Sequence, residues 1–164
     1  MAITANGYIA KEDNTTSWVS ETEWEGYKKM MKEVGNAIIG RKTFDVALRE
    51  GDFPFEGCLN VVVTSKRIEN KWGNDVVFVK SPQEALAMLA DKGFASALVC
   101  GGGVLNADFM KENLIDEIYL DVEPIILGKG IKLFADVDFE TKLELIGIKN
   151  LSENEVQLHY KVVK

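Results

Sequence analysis

Cys100-Gly101-Gly102-Gly103 follows a short apolar run, Ala97 to Cys100, and precedes a helical period that begins near Val104. Glycines without Cβ atoms let a backbone approach a phosphate, and a helix N-terminus adds unpaired N–H groups and a favourable dipole. The plainer explanation is a tight strand-to-helix turn, although such a turn rarely needs three glycines. Ile38-Ile39-Gly40-Arg41-Lys42-Thr43-Phe44 repeats the logic with two cations and a hydroxyl at the helix start. Cations there oppose the dipole. Either an anionic ligand relieves the conflict, with Arg41 gripping a phosphate bidentately, or Arg41 and Lys42 face solvent. A third strand end offers Thr64, Ser65, Lys66 and Arg67. Taken with Arg41, it could surround the 2′-phosphate that distinguishes NADP from NAD, so that three strand C-termini converge on one dinucleotide. No stretch matches GxGxxG or GxxxxGK[ST], so neither a standard Rossmann dehydrogenase nor a P-loop NTPase is supported.

These junctions need an alternating framework. Strands are expected over Asn36 to Gly40, Cys58 to Thr64, Val76 to Val79, Ala97 to Cys100 and Ile115 to Val122. Helices are expected over Ser20 to Val34, Thr43 to Arg49, Ser81 to Lys92 and Val104 to Glu112. The first and third open with capping boxes, Ser20 with Glu23 and Ser81 with Glu84. The alternation predicts a largely parallel sheet flanked by helices. Leu143 to Lys149 and Glu155 to Val163, on either side of a turn-forming Asn150 to Asn154, predict a closing antiparallel hairpin. The expectation is one α/β domain over residues 1–164, with no linker or repeat.

Composition narrows the chemistry. With 46% apolar and 27% charged residues the chain has the profile of a globular protein. A net charge of −7 without any basic run argues against nucleic acid. The apolar runs are strand-sized and no signal core opens the chain, so no membrane is expected and the chain reads as cytoplasmic. Cys58 and Cys100 lack metal or redox spacing and are expected to be reduced core thiols. His159 is the sole histidine, alternates with apolar neighbours on the polar face of a strand, and removes a His-based zinc site. No metal is expected.

The ordered set Asn6-Gly7-Tyr8-Ile9-Ala10, Trp18, Gly40-Arg41-Lys42-Thr43-Phe44, Thr64-Ser65, Gly101-Gly102-Gly103 and Pro124-Ile125-Ile126-Leu127-Gly128-Lys129-Gly130 resembles the dihydrofolate reductase superfamily. The last stretch is closest to the reductase domain of bifunctional riboflavin-biosynthesis deaminase-reductases and their stand-alone relatives. The resemblance implies a dihydrofolate reductase-like fold and NADPH as cofactor. Gly40 to Thr43 and Gly101 to Val104 would hold the pyrophosphate. Arg41, Thr64, Ser65 and Lys66 would hold the adenosine ribose phosphate, and Ala2 and Ile9 would flank the nicotinamide.

The implied reaction sends hydride from NADPH to C1′ of a ribosylamino pyrimidine phosphate after its sugar opens to an imine. Reduction of dihydrofolate or a related pterin is the enzymatic alternative, and a noncatalytic NADP(H)-binding protein the other. Counted from Trp18, Glu23 falls where dihydrofolate reductases carry the carboxylate that binds the pterin and assists its protonation. The cap of Ser20 explains the same residue without any substrate. Lys129 could meet a substrate phosphate or simply face solvent from its turn. The chain departs from the riboflavin-type pattern at Cys100, where an acidic residue often stands, at Asn6, and in its first strand, which the family starts several residues earlier, so that either the start is misassigned or the strand is short. The resemblance also implies a homodimer paired through the sheets near the C-terminal strands.

Overall fold

In the computed structural model, which describes residues 1–164, the elements in chain order are β1 (Ala2–Thr4), β2 (Tyr8–Ala10), α1 (Glu21–Val34), β3 (Asn36–Gly40), α2 (Arg41–Glu50), β4 (Leu59–Val63), β5 (Val76–Val79), α3 (Pro82–Asp91), α4 (Gly103–Lys111), β6 (Glu117–Glu123), β7 (Ile131–Lys132), β8 (Lys142–Asn150) and β9 (Val156–Val163). They divide into two compact units, Tyr27–Leu105, and Met1–Gly26 with Asn106–Lys164.

The Tyr27–Leu105 unit is built on the parallel sheet β3-β4-β5. Parallel strands covered on both faces need continuous apolar runs rather than alternation. Ala37, Ile38 and Ile39 of β3 and Val61 and Val62 of β4 are accordingly fully buried. The expected strand Ala97 to Cys100 shrinks to one parallel bridge between Ile38 and Val99. Two contacts explain the loss. The Asn36 side chain replaces the backbone ladder at one end, accepting from Leu98 N–H at 3.0 Å and donating to Ser96 O at 2.8 Å. At the other end the Gly40 N–H reaches Gly101 O at 2.7 Å, one residue beyond the ladder's register.

α2 begins two residues earlier than its apolar period suggested. Gly40 is extended, with φ −82° and ψ 167°, and turns directly into the helix. Arg41 and Lys42, both good helix formers, therefore make the first turn. α3 is capped by Ser81, whose Oγ accepts from Glu84 N–H at 3.2 Å, while the Glu84 carboxylate takes the Lys80 N–H at 2.7 Å.

The other unit holds the sheet β1-β6-β9-β8. β1 runs parallel to β6, with Ala2 opposite Asp121, and β6, β9 and β8 are antiparallel, which gives the expected C-terminal hairpin. A bulge at Leu145/Gly147 shifts its register. β2 and β7 form a separate antiparallel pair. His159 lies on the polar side of β9, stacked on Tyr119 and 2.8 Å from the Glu117 carboxylate. Both cysteines are free, and burial pushes the Cys100 thiol up to about 12. No helix is long and apolar enough to cross a membrane.

Candidate functional site

Parallel pairing dictates which residues meet at the carboxyl ends of β3 and β4. Gly40 stands opposite Val63, so Arg41 and Thr64 each leave the sheet one step beyond a paired position. The Gly40–Gly101 hydrogen bond adds the glycine run to the same edge. Three chain segments thus converge, with α2 and α4 starting side by side. A Cβ on Gly40 would lie 3.4 Å from Leu105 Cβ, 3.7 Å from Gly101 O and 3.9 Å from Gly102 N.

The local chemistry suits an anion. The Gly40 cap supplies no side-chain acceptor to the first turn of α2, which leaves its leading N–H groups to a ligand or solvent. Gly101 has φ +92°, a region that glycine enters without strain, and the Gly101–Gly102 peptide is cis. α4 starts at Gly103, one residue before the expected Val104, and Val104 is exposed.

The cations and hydroxyls are less uniform than the sequence suggested. Arg41 is not free: its Nε donates to both Asp45 oxygens, at 2.9 and 3.1 Å. Lys42 is exposed and Thr43 half-buried. Thr64 is buried and already occupied, its Oγ1 accepting from Lys66 N–H at 3.1 Å and its N–H donating to Val79 O at 2.8 Å. Ser65 and Lys66 face solvent.

Ala2, Ile9, Trp18 and Glu23 lie in the Met1–Gly26 and Asn106–Lys164 unit. Ala2 and Ile9 are half-buried in β1 and β2. The Trp18 indole N–H is buried without a hydrogen-bond partner. Only half of the anticipated capping box forms around Glu23. Ser20 Oγ accepts from Glu23 N–H at 3.0 Å, yet the Ser20 N–H donates to the Glu123 carboxylate at 2.8 Å. Glu123 of β6 takes the place that the Glu23 carboxylate has in a full box.

The Glu23 side chain is therefore released from the cap. It is 6% exposed and hydrogen-bonds to Asp121. Burial, opposed by the Met1 amine and reinforced by the Asp121 and Glu123 carboxylates, raises its carboxyl to about 7. Asp121 is held by the Met1 amine at 3.0 Å and by Gln157 Nε2 at 2.7 Å. Burial raises Glu123 as well, with Glu155 beside it. A carboxylic acid that titrates near pH 7 can hold or deliver a proton.

Asp45, Asp121 and Glu123 escaped the sequence reading. The four-residue spacing of Arg41 and Asp45 was a usable signal. Asp121 and Glu123 share one strand face with Tyr119 by the two-residue period of β6, but nothing in that period says which end of the face is buried.

The sequence matches the RibD C-terminal domain family over residues 1–157. It is 36% identical over 165 residues to the uncharacterized protein YwjB of Bacillus subtilis (strain 168), covering 98% of this chain and 94% of YwjB. A crystal structure from Shewanella sp. PV-4, described provisionally as a riboflavin biosynthesis protein, superposes with a TM-score of 0.84 at 26% identity, covering 100% of this chain and 97% of that one. RibD of Acinetobacter baumannii shares the fold at a TM-score of 0.78 and 16% identity, and the chain, 99% covered, spans 56% of that longer protein. The fold is dihydrofolate reductase-like, as the ordered motifs implied. Since the family match takes in the glycine run, both helix starts, Glu23 and the Pro124 to Gly130 stretch, the chain belongs to the RibD C-terminal domain family.

Proposed function

We propose that residues 1–164 act as one cytoplasmic, NADPH-dependent reductase domain whose substrate is a phosphorylated ribosylamino pyrimidine of riboflavin biosynthesis or a near relative. The observation that carries the reading is the uncapped start of α2 beside Gly101 and the start of α4, joined by the 2.7 Å Gly40–Gly101 hydrogen bond. This donor set fits a pyrophosphate: backbone N–H groups at two helix starts, with glycine where a Cβ would crowd an approaching phosphate. Gly40 to Thr43 and Gly101 to Val104 would hold the pyrophosphate, and Arg41, Ser65 and Lys66 the 2′-phosphate. Thr64 acts by closing the turn that presents Ser65 and Lys66. Ala2 and Ile9 are the residues assigned to the nicotinamide.

When bound, NADPH supplies the hydride. In the substrate, the sugar opens to an imine, C1′ receives the hydride and the imine nitrogen takes up one proton. Glu23, partly protonated near pH 7, is the proton donor, and Trp18 lines the substrate with an indole N–H that lacks a protein partner. Reduction of a pterin is the second reading, favoured by the same protonated Glu23.

The reading includes a homodimer. Leu143, Leu145 and Ile148 of β8 are 42%, 48% and 63% exposed. Tyr160 and Leu158, the half-buried cross-strand partners of Leu145 and Ile148, extend the same apolar face, while Val162 opposite Leu143 is already buried, and the exposed part of such a face needs covering.

Incubation with NADPH and either the ribosylamino pyrimidine phosphate or dihydrofolate, followed at the nicotinamide absorbance band, tests the reading. Turnover with the pyrimidine that falls about a hundredfold or more in Glu23→Gln is expected, the smaller side of a general-acid contribution. Turnover with dihydrofolate alone selects the pterin reading. NADPH binding without turnover on either substrate leaves a noncatalytic NADP(H)-binding protein.

A further inference from the structure

Arg41 carries an anion of its own. Besides the two Nε contacts, its Nη2 lies 2.8 Å from Asp45 Oδ1, so one edge of the guanidinium is filled by the carboxylate four residues on. The Phe44 ring sits against it, 5.8 Å from the guanidinium carbon to the ring centroid. The remaining N–H donors of the fork point away from Asp45. A cation in the first turn of a helix opposes the dipole, and Asp45 relieves in the free protein the conflict that otherwise called for a ligand. Arg41 and Asp45 side chains are 34% and 49% exposed, so the pair stands in water, where ions exchange readily.

We propose that Asp45 is a specificity-determining residue of the cofactor site, an internal anion that occupies Arg41 and yields it only to a ligand bearing a 2′-phosphate. The assignment rests on the cofactor reading above. A phosphate makes stronger charge-assisted bonds to a guanidinium than an exposed carboxylate does, so exchange runs forward for NADPH. NADH lacks the 2′-phosphate, and its pyrophosphate is met by the backbone N–H groups of the two helix starts, so it leaves the Arg41–Asp45 pair intact. Asp45 therefore lowers the preference for NADPH over NADH below what Arg41 alone would give. The size of the effect is about 1.5- to twofold, that of an exposed i,i+4 ion pair.

Calorimetry of NADPH and NADH binding at low ionic strength, with wild type, D45N, R41Q and the D45N/R41Q double variant, tests the assignment, far-UV circular dichroism confirming the fold of each. D45N is expected to tighten NADPH about 1.5- to twofold with NADH unchanged, and the gain is expected to vanish when Arg41 is also replaced. Weaker NADPH binding in D45N would mean that Asp45 orients Arg41 instead, and overturns the proposal. So do an equal change for both cofactors, no change for either, or a gain that persists in the R41Q background. Each of those results leaves the cofactor reading standing so long as wild type binds NADPH, whereas a wild type that binds neither cofactor overturns both.

Discussion

Replacing Glu23 by glutamine keeps the shape of a buried side chain and removes its proton equilibrium, so the variant should gain stability over wild type as the pH rises. Burial lifts the Glu23 carboxyl from 4.5 to about 7 in the folded protein. A carboxyl raised in this way binds its proton more tightly when folded than when unfolded. Its stabilising contribution is fully present below pH 4.5 and is lost as the pH climbs through about 7. The displacement sets a ceiling of roughly 3 kcal/mol at alkaline pH, and solvent screening and relaxation of Asp121 and Glu123 reduce it to about 1–2 kcal/mol. For a chain of this length that corresponds to about 2–8 °C in Tm. Thermal melts of wild type and Glu23→Gln followed by circular dichroism from pH 5 to pH 9 provide the assay. The difference in Tm, variant minus wild type, should grow in the variant's favour from pH 5 to about 7, where the folded carboxyl titrates, and level off above it. Subtracting wild type cancels groups that do not interact with Glu23, such as the lowered Asp13 and Glu117. A difference that stays flat between pH 5 and pH 9 refutes a buried, protonated Glu23 and removes the proton donor from the proposed reaction.

Two further outcomes follow from the packing. Asn36→Ala removes the side chain that bonds Leu98 N–H and Ser96 O and should cost about 1–3 kcal/mol in urea unfolding, since a lost partner exposes the desolvation cost of the groups left behind; a cost below about 0.5 kcal/mol would show that the 96–98 segment satisfies itself. Ile148→Glu places a charge at a residue 63% exposed on the apolar face of β8 and should convert a dimer to monomer in analytical ultracentrifugation without changing the monomer's circular dichroism, whereas an unchanged dimer would move the interface elsewhere.

Much of the framework was legible because it depends on local chemistry. β3 and β5 fall where the β-branched runs placed them, Ser20 and Ser81 both cap their helices, and the C-terminal hairpin follows the turn residues Asn150 to Asn154. The expected strand at Ala97 to Cys100 failed for a tertiary reason: Asn36, sixty residues away, satisfies with its side chain what a backbone neighbour would otherwise satisfy. The start of α2 failed for a local one, because an extended Gly40 passes into the helix without a linking turn.

The sequence by itself determined that glycines and cations stand at the ends of apolar runs, that an acidic residue follows Ser20 by three positions, and that the motifs come in the order of the dihydrofolate reductase superfamily. These are properties of spacing, which the chain carries whether folded or not. Only the tertiary structure decided that Glu123 of β6 takes the Ser20 N–H and frees Glu23 from its cap, and that Asp121 meets the freed carboxyl in a buried setting. It decided likewise that Arg41 is held by Asp45 instead of waiting open. Those outcomes depend on desolvation and on competition between partners brought together by strand pairing and helix pitch. Residue type fixes what a side chain can bond, whereas burial and proximity decide which bond it makes and which protonation state it keeps.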